Sequence, residues 1–371
     1  MSEYFPSSDG WALASPEEVG FEPAKLAQAL EFAAVAETPW PRSLEAAMKA
    51  DPNNNEPPPW NEVIGPTLDR DGPSGLILRH GKMVGAYGDP SRVEMTFSVT
   101  KSYLSLLTGV ALDRGLIRDL DDAVRDYATD DGFESAQNRS ITWRHLLHQS
   151  SEWEGELFGK PDLIDHHRQV GAGADNSRKG ERRALQAPGS FYEYNDVRVN
   201  RLSLSLLQVF KQPLADVLRE AIMEPVGATN TWSWNPYFNS EVQVDGLTLP
   251  SVPGGSHWGG GIFINSEDHA RVALMVARNG NWGGQQIISS TYLREITRPS
   301  PCFDLYGMLW WLNTEQRYYS NAPASSFFAM GAGTHLLWID RELDLVAVFR
   351  WIDNTQINEL IGLTMQAIKT S

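Results

Sequence analysis

The sequence has little of several things that mark particular protein classes. Cys302 is the only cysteine in 371 residues, so no disulfide can form within the chain. No apolar run approaches the roughly 20 residues that a membrane-spanning helix needs. The opening stretch, MSEYFPSSDGWALAS, has neither a basic nor a continuous apolar segment, so we expect no secretory signal and a cytoplasmic location.

Positive charge is also scarce. The chain has 31 Lys and Arg against 47 Asp and Glu, which gives a net charge of −16. That charge repels nucleic acid and anionic membrane surfaces, so we expect neither as a partner. Hydrophobic residues make up 42% of the chain, as is usual for a globular protein with a substantial core.

Strand patterns lie near both ends of the sequence. Residues 75–80 and 83–87 flank a Gly-Lys turn and predict a hairpin, and aromatic or β-branched runs recur at 306–312, 335–339 and 345–351. Helical periodicity dominates between them. The pattern predicts an α+β fold in which an antiparallel sheet, built from both termini and flanked by helices, carries an inserted mainly helical domain. We expect residues 1–97 and 254–371 to form the sheet domain, residues 98–253 the helical domain, and the cleft between them to hold the active site.

Ser98 and Lys101 are the first chemical signal. They lie three residues apart at the start of a predicted helix, so both side chains can share one face. A serine hydroxyl is a weak nucleophile until a nearby base accepts its proton, and a desolvated lysine can act as that base. The spacing alone is expected about once by chance in a chain of this length. The alternative is a helix N-cap followed by a solvated lysine.

The segment TFSVTKSYLSLLTGVALDRG, residues 96–115, resembles the active-site helix of the serine β-lactamase-like family. That family includes class C β-lactamases, DD-peptidases, family VIII carboxylesterases and 6-aminohexanoate-dimer hydrolases. The resemblance implies a β-lactamase/DD-peptidase-like fold, with Ser98 as nucleophile and Lys101 as general base. LLHQSSEWEG (146–155) and GGGIFINSEDHARVA (259–273) also resemble family segments, so the likeness covers most of the chain.

A second family motif, YxN after Pro-Gly, matches Tyr194 through Asp196 in PGSFYEYND. The resemblance implies that Tyr194 relays a proton between nucleophile and leaving group. Tyr192 is a rival for this role, shifted by two residues. Asp196 stands where the family usually has Asn, a departure that bears on substrate contacts.

The third family motif, KTG, cannot be present because no lysine lies between Lys211 and Lys369. In its place MGAGTHLLWIDRELDLVAVF (330–349) resembles a GxGGQ-type variant. The resemblance implies that Gly331, Gly333, Thr334 and His335 border the cleft. It also implies that a backbone N–H near Thr334 joins that of Ser98 in an oxyanion hole. A Gly-rich turn into a buried strand is the alternative.

Without the KTG lysine, the obvious cation for a substrate carboxylate is missing. We therefore expect a small-molecule substrate that is a neutral or non-carboxylate ester or amide, rather than a β-lactam. Its cleft would be lined by Trp153, Trp258 and Trp310. A competing idea is that Arg198 replaces the missing lysine.

Three alternatives stay open at this stage. Asp165, His166 and His167, or His145 and His148, could suggest a metallohydrolase, although HExxH is missing. The chain could instead be a non-catalytic binding member of the fold, or transfer acyl groups to an acceptor other than water. We expect no metal and no cofactor, and a homo-oligomer is compatible with the sequence.

Overall fold

The computed structural model describes residues 3–8, 10–50, 56–171 and 173–369. The helices are α1 (Pro23–Val35), α2 (Leu44–Ala50), α3 (Val99–Asp113), α4 (Trp143–Leu147), α5 (Asp196–Phe210), α6 (Leu214–Leu218), α7 (Ser266–Ala277), α8 (Ser290–Glu295) and α9 (Ile357–Ala367). The strands are β1 (Ser74–Arg79), β2 (Lys82–Tyr87), β3 (Glu94–Met95), β4 (Glu156–Leu157), β5 (Lys160–Pro161), β6 (Ser233–Asn235), β7 (Glu241–Val244), β8 (Leu247–Pro250), β9 (Gly261–Ile264), β10 (Asn281–Trp282), β11 (Gln285–Gln286), β12 (Trp311–Leu312), β13 (Phe327–Gly331), β14 (His335–Asp340) and β15 (Leu345–Arg350).

The main sheet has six antiparallel strands in the order β12-β13-β14-β15-β1-β2. Its centre joins the two ends of the chain, since β1 pairs with β15 and Leu76 lies opposite Val348. Strands β14 and β15 are buried along their whole length, so both faces of the sheet are covered. Helix α1 packs with α9 and against β2, whereas α3 and α7 pack against strands β13 to β15. The predicted α+β class, with an antiparallel sheet assembled from both termini, is confirmed.

A smaller sheet leads into the third helix. It has the order β3-β9-β6, and β3 is followed within four residues by α3. Helix α3 is buried over most of its length, because its apolar residues meet the sheet on one side and α5 on another. The start of α3 therefore lies between the sheet and the mainly helical region of the chain.

The predicted strand over residues 306–312 is wrong for most of its length. Within it, only Trp311 and Leu312 pair with β13. Leu309 has a φ of 62°, in the left-handed region, and its N–H donates to the carbonyls of Leu147 and Gly307 rather than to a strand. This turn brings the segment against the helical region. Among the described helices, none is long and apolar enough to cross a membrane.

Candidate active site

Ser98 lies at a sharp turn between β3 and α3. Phe97, just before it, has a φ of 48°, which is strained for a bulky side chain. The Phe97 ring is fixed by edge contacts with Trp40 and by packing on His335. Ser98 is the N-cap residue of α3, but its hydroxyl makes no capping hydrogen bond. The hydroxyl is thus held out of the helix and left available for other contacts.

Lys101 reaches back to Ser98 from the first turn of α3. Its ammonium donates to Ser98 Oγ at 2.8 Å and to the Gly255 carbonyl at 2.6 Å, and lies 2.8 Å from Asp196 Oδ1. Only 2% of the side chain is exposed. Burial lowers the pKa of Lys101, and the Asp196 carboxylate opposes this shift. The result is a lysine close to a serine oxygen in a site that disfavours its charge.

Tyr194 completes the group around Ser98. Its ring lies 5.1 Å from Lys101 Nζ and stacks on Trp311 at a centroid distance of 5.8 Å. Burial raises the pKa of the Tyr194 phenol. The Asp196 charge adds to this effect, whereas the Arg168 charge and, to a smaller extent, a hydrogen bond with Ser98 oppose it. The phenol therefore keeps its proton at neutral pH and can donate it.

The cap of α5 positions Tyr194 and Asp196 on either side of Asn195. The Asn195 side-chain oxygen accepts from the N–H groups of Val197 and Arg198, both at 3.1 Å, and its amide donates to the Asp162 carbonyl at 2.8 Å. The N–H of Asn195 is bound by the Gln149 side chain. Asn195, the middle residue of the motif, is thus a structural cap, while its two neighbours face Lys101.

Asp196 is the anionic centre of the site. Its second carboxylate oxygen lies 2.7 Å from Arg168 Nη1, and its N–H donates to Asp165 Oδ2 at 2.8 Å. Burial opposes ionisation, but Arg168 and Lys101 together hold the pKa of Asp196 below its ordinary value. Asp196 is therefore a carboxylate shared by two cations.

Ion pairs continue from Asp196 away from Ser98. Arg168 also contacts Asp165 at 3.2 Å, Lys179 lies 3.6 Å from Asp165, and Lys179 pairs closely with Glu56. His257 contacts the same Glu56 oxygen at 2.9 Å. All five of these side chains are at most 14% exposed. From Asp196 to Glu56 the charges alternate in sign, so each of these buried ions has an opposite neighbour.

The end of β13 belongs to the segment predicted to replace KTG, and it lies against the turn that leads into Ser98. A Cβ on Gly331 would lie 2.2 Å from the Thr96 carbonyl, so the two backbones touch. Gly333 faces the Trp351 ring, and Thr334 has a φ of 58° in the turn that follows. His335 is 3% exposed and packs on Trp351 at 4.3 Å. The predicted substrate contacts of Gly333 and His335 are thus replaced by core packing.

The tryptophans expected in the cleft are core residues. Trp153, Trp258 and Trp310 are 2%, 0% and 1% exposed. The Trp153 indole donates to the Gly132 carbonyl at 2.7 Å. These side chains therefore offer no surface to a substrate in this conformation.

Arg198, the suggested substitute for the KTG lysine, is fully engaged within the protein. It contacts Glu152 at 2.7 Å and Asp162 at 3.2 Å, and donates to the Trp153 carbonyl at 3.0 Å. Its side chain is 2% exposed. Arg198 is therefore not placed to receive a substrate carboxylate.

A cleft of about 420 Å³ opens beside Tyr194. Five aromatic side chains line it: Phe191, Tyr192, Tyr194, Phe303 and Trp311. Tyr192, the rival of Tyr194 in the sequence, packs on Phe303 at 4.6 Å and on Tyr306 at 5.3 Å. Tyr192 is thus part of the cleft wall, whereas Tyr194 both borders the cleft and lies 5.1 Å from Lys101 Nζ.

Several residues of this site were missed from the sequence. Arg168, Gly255, Phe303 and Trp311 carry no motif of their own, and their roles depend on contacts between distant segments. Phe191 stood inside the Pro-Gly-to-Tyr stretch and is 39% exposed. An aromatic residue three positions before the motif tyrosine Tyr194 was the signal that the sequence offered.

The histidines of the metal-site alternative are held separately. His166 pairs with Asp162 at 3.0 Å, and His145 accepts from the Thr142 N–H in the cap of α4. In the described ranges, no group of three or more His, Cys, Asp or Glu side chains is arranged to hold a metal ion.

The beta-lactamase family model matches residues 60–353, which span Ser98, Lys101, Tyr194 and the sheet strands up to β15. The chain belongs to the beta-lactamase family of serine hydrolases. This confirms the resemblance on which the sequence motifs were interpreted.

The likeness in fold to solved structures extends beyond residues 60–353, the region that the family model matches. EstCE1, described as a hydrolase with promiscuous acyltransferase activity, aligns with a TM-score of 0.58 at 14% identity, over 94% of this chain and 99% of its own. A penicillin-binding protein homologue from Caulobacter crescentus gives 0.56 at 16%, over 89% and 99%. A family VIII carboxylesterase gives 0.55 at 18%, over 83% and 93%. No curated protein matches the sequence. At these identities the likeness is one of fold.

Proposed function

We propose that this protein hydrolyses an ester or amide bond of a small molecule through an acyl-enzyme on Ser98. The observation that carries the proposal is the 2.8 Å contact between Lys101 Nζ and Ser98 Oγ, at a serine whose hydroxyl is not used as a helix cap. If Ser98 were only a helix cap and Lys101 only a solvated charge, the Lys101 side chain would not need to be buried against Ser98. The family membership and the nearby Tyr194 support the same role.

Acylation begins when the neutral amine of Lys101 takes the proton of Ser98. The Oγ then forms a bond to the carbonyl carbon, and the electron pair of the C=O bond moves to its oxygen. The N–H of Ser98 and the backbone at the end of β13, near Gly331, are the candidate donors to that oxyanion. When the oxyanion collapses, the bond to the leaving group breaks and the leaving group takes a proton from Tyr194. The Lys101 ammonium returns a proton to Tyr194.

Deacylation repeats these steps with water. Tyr194 passes its proton to the neutral Lys101 as it accepts one from the water, whose oxygen attacks the acyl carbon. When this intermediate collapses, the bond from the acyl carbon to Ser98 Oγ breaks, Oγ regains a proton from Lys101, and the acid is released. Acyl transfer to an alcohol follows the same route with the alcohol in place of water. EstCE1, a structural neighbour, is described as a hydrolase with promiscuous acyltransferase activity.

The charges of the site favour a substrate without a carboxylate. Lys101 and Arg168 both share Asp196, and Arg198 is bound to Glu152 and Asp162. None of these three cations has a position comparable to a KTG lysine on a sheet-edge strand. We therefore infer that neutral esters, or amides, are turned over in preference to penicillins and cephalosporins.

The test is covalent labelling with a fluorophosphonate, followed by intact mass and peptide mapping. Wild type should gain one adduct on Ser98, and Ser98→Ala should gain none. Ser190→Ala is the matched control, because Ser190 is an exposed serine near Tyr194 whose hydroxyl only donates to Ala187. Persistent labelling of Ser98→Ala would overturn the assignment.

The substrate class is tested with the same two variants and wild type. We expect turnover of p-nitrophenyl acetate, with nitrocefin turned over far more slowly, and loss of both activities in Ser98→Ala. Turnover of nitrocefin without any ester hydrolysis would contradict the inferred preference. Adding methanol to the ester assay and measuring methyl acetate separates acyl transfer from hydrolysis.

A further inference from the structure

The aromatic cleft beside Tyr194 has a composition suited to one kind of group. Its volume of about 420 Å³ lies within the roughly 300–1,000 Å³ range of small-molecule sites. Phe191, Tyr192 and Phe303 keep partly exposed rings there, whereas Tyr194 and Trp311 form a stacked pair at its inner end. Aromatic walls at these spacings favour a flat ring, which can stack or meet them edge-on.

Most of the charged side chains around the cleft are already paired. Arg168 is bound to Asp165 and Asp196, and Arg178 contacts Glu181 at 3.0 Å. Glu193, which also borders the cleft, is held by Arg183 at 2.6 Å. Asp175 also borders the cleft, and its carboxylate accepts the Ser177 N–H at 2.9 Å without an ion pair among the described side chains. Because Asp175 is exposed to solvent and the other lining ions have partners, the cleft does not select a strongly charged ligand.

The position of Tyr194 decides which part of a substrate the cleft receives. The Tyr194 ring lies 5.1 Å from Lys101 Nζ, which itself contacts Ser98 Oγ at 2.8 Å, and the same ring borders the cleft. A group that protonates a leaving atom must lie within hydrogen-bond reach of that atom. The leaving side of the scissile bond is therefore the side that faces the cleft.

We propose that this cleft binds the leaving group of the substrate and that this group is a neutral aromatic ring, so that the alcohol product is a phenol or an aryl alcohol. The proposal rests on the proposed function of Ser98 and Tyr194. It places the acyl group elsewhere, on the side of the oxyanion donors.

The experiment compares two acetates whose alcohols have similar acidity: 2-naphthyl acetate and hexafluoroisopropyl acetate. We expect kcat/KM to be about tenfold higher for the naphthyl ester, the scale of a stacking contact between rings. Hexafluoroisopropyl 2-naphthoate carries the ring on the acyl side and should show no such advantage over the acetate. The readout is the ratio of kcat/KM within each protein, which is insensitive to the active fraction.

Phe191→Ala and Phe303→Leu should bring the naphthyl preference towards one, mainly by raising KM. Phe238→Ala is the matched control, because Phe238 is 77% exposed and lies outside the cleft lining. It should keep the wild-type ratio. A preference that follows the ring on the acyl side, or one that survives both cleft variants, overturns the proposal.

Failure of the proposed function gives a different result. In that case Ser98 is not labelled by the fluorophosphonate and neither acetate is turned over by wild type. Calorimetric titration with 2-naphthol then decides on the cleft itself. Binding that Phe191→Ala weakens supports an aryl site, and no binding to wild type overturns it.

Discussion

Lys101 Nζ lies 2.8 Å from Asp196 Oδ1, and the two side chains are 2% and 1% exposed. The carboxylate stands where the family motif usually has a neutral asparagine amide. A buried cation beside a carboxylate keeps its proton more strongly than one beside an amide. The base proposed for Ser98 is therefore paired with a group that opposes its deprotonation.

Asp196→Asn should move the ascending limb of the pH profile of kcat/KM to lower pH. Burial lowers the pKa of Lys101, and Asp196 opposes this more strongly than Asp165 does, so removing the Asp196 carboxylate lets the pKa fall further. The amine is then neutral over more of the pH range. Initial rates with p-nitrophenyl acetate from pH 5 to pH 9 measure the effect. An unchanged limb, or a limb moved to higher pH, would show that Lys101 is not the titrating base.

Asp196→Ala should also lower stability. It leaves Lys101 and Arg168 buried without the carboxylate that they share, and breaking a buried pair in this way costs about 3–5 kcal/mol. Urea denaturation at neutral pH gives the free energy of unfolding. Asp175→Ala, an exposed carboxylate near the cleft, should change it far less.

Lys101→Met should lower kcat by about 10²- to 10⁴-fold, the range expected for loss of a general base. Methionine keeps much of the length of the buried stem, and Asp196 retains Arg168 as a partner. Lys49→Met, on an exposed face of α2, is the control and should behave as wild type. Equal activity of the two variants would argue that Tyr194 or water activates Ser98 without Lys101.

Glu56 should stabilise the fold at neutral pH and lose that effect in acid. Burial raises the pKa of Glu56, but contacts with His257 and Lys179 outweigh this and lower it from 4.5 to about 2. Because the folded-state pKa is depressed, the contribution is complete above about pH 4.5 and is lost as the pH falls towards 2. That difference corresponds to about 3 kcal/mol.

The measurement is urea denaturation of wild type and Glu56→Gln at pH 7 and pH 3. The variant should be less stable at pH 7, and the gap should narrow at pH 3. A gap of equal size at both values would mean that the Glu56 charge makes no net contribution.

Gly255→Ala should impair both folding and activity. Gly255 has a φ of 79°, and an added Cβ would lie 2.0 Å from the Phe97 carbonyl. Strain and overpacking together predict a loss of about 2–5 kcal/mol. The substitution would also displace the Gly255 carbonyl, which accepts a hydrogen bond from Lys101, so kcat should fall as well. Gly246→Ala has a similar φ of 81° with no atom within 4 Å of the new Cβ, and should show only the backbone cost of about 1–2 kcal/mol.

Local patterns were sufficient to predict several elements of this protein. The hairpin of β1 and β2, the helix that follows Ser98 and the strands β14 and β15 all lie close to their predicted bounds. Their periodicities reflect which faces are buried, and this information is local. Residues 306–312 were misjudged because a strand propensity cannot reveal that Leu309 bonds to Leu147, which is far away in the sequence.

By itself the sequence determined the fold class, through its strand and helix periodicities. It also determined which residue types could form the site, because Ser98 and Lys101 share one helix and Tyr194 and Asp196 flank one helix cap. Only the tertiary structure decided how these pairs meet, that Asp196 is an ion-pair partner of Lys101, and that Trp153 and Trp258 are core residues. The physical reason is range. Periodicity and capping act over a few residues, whereas charge pairing and burial depend on which distant segments the fold brings into contact.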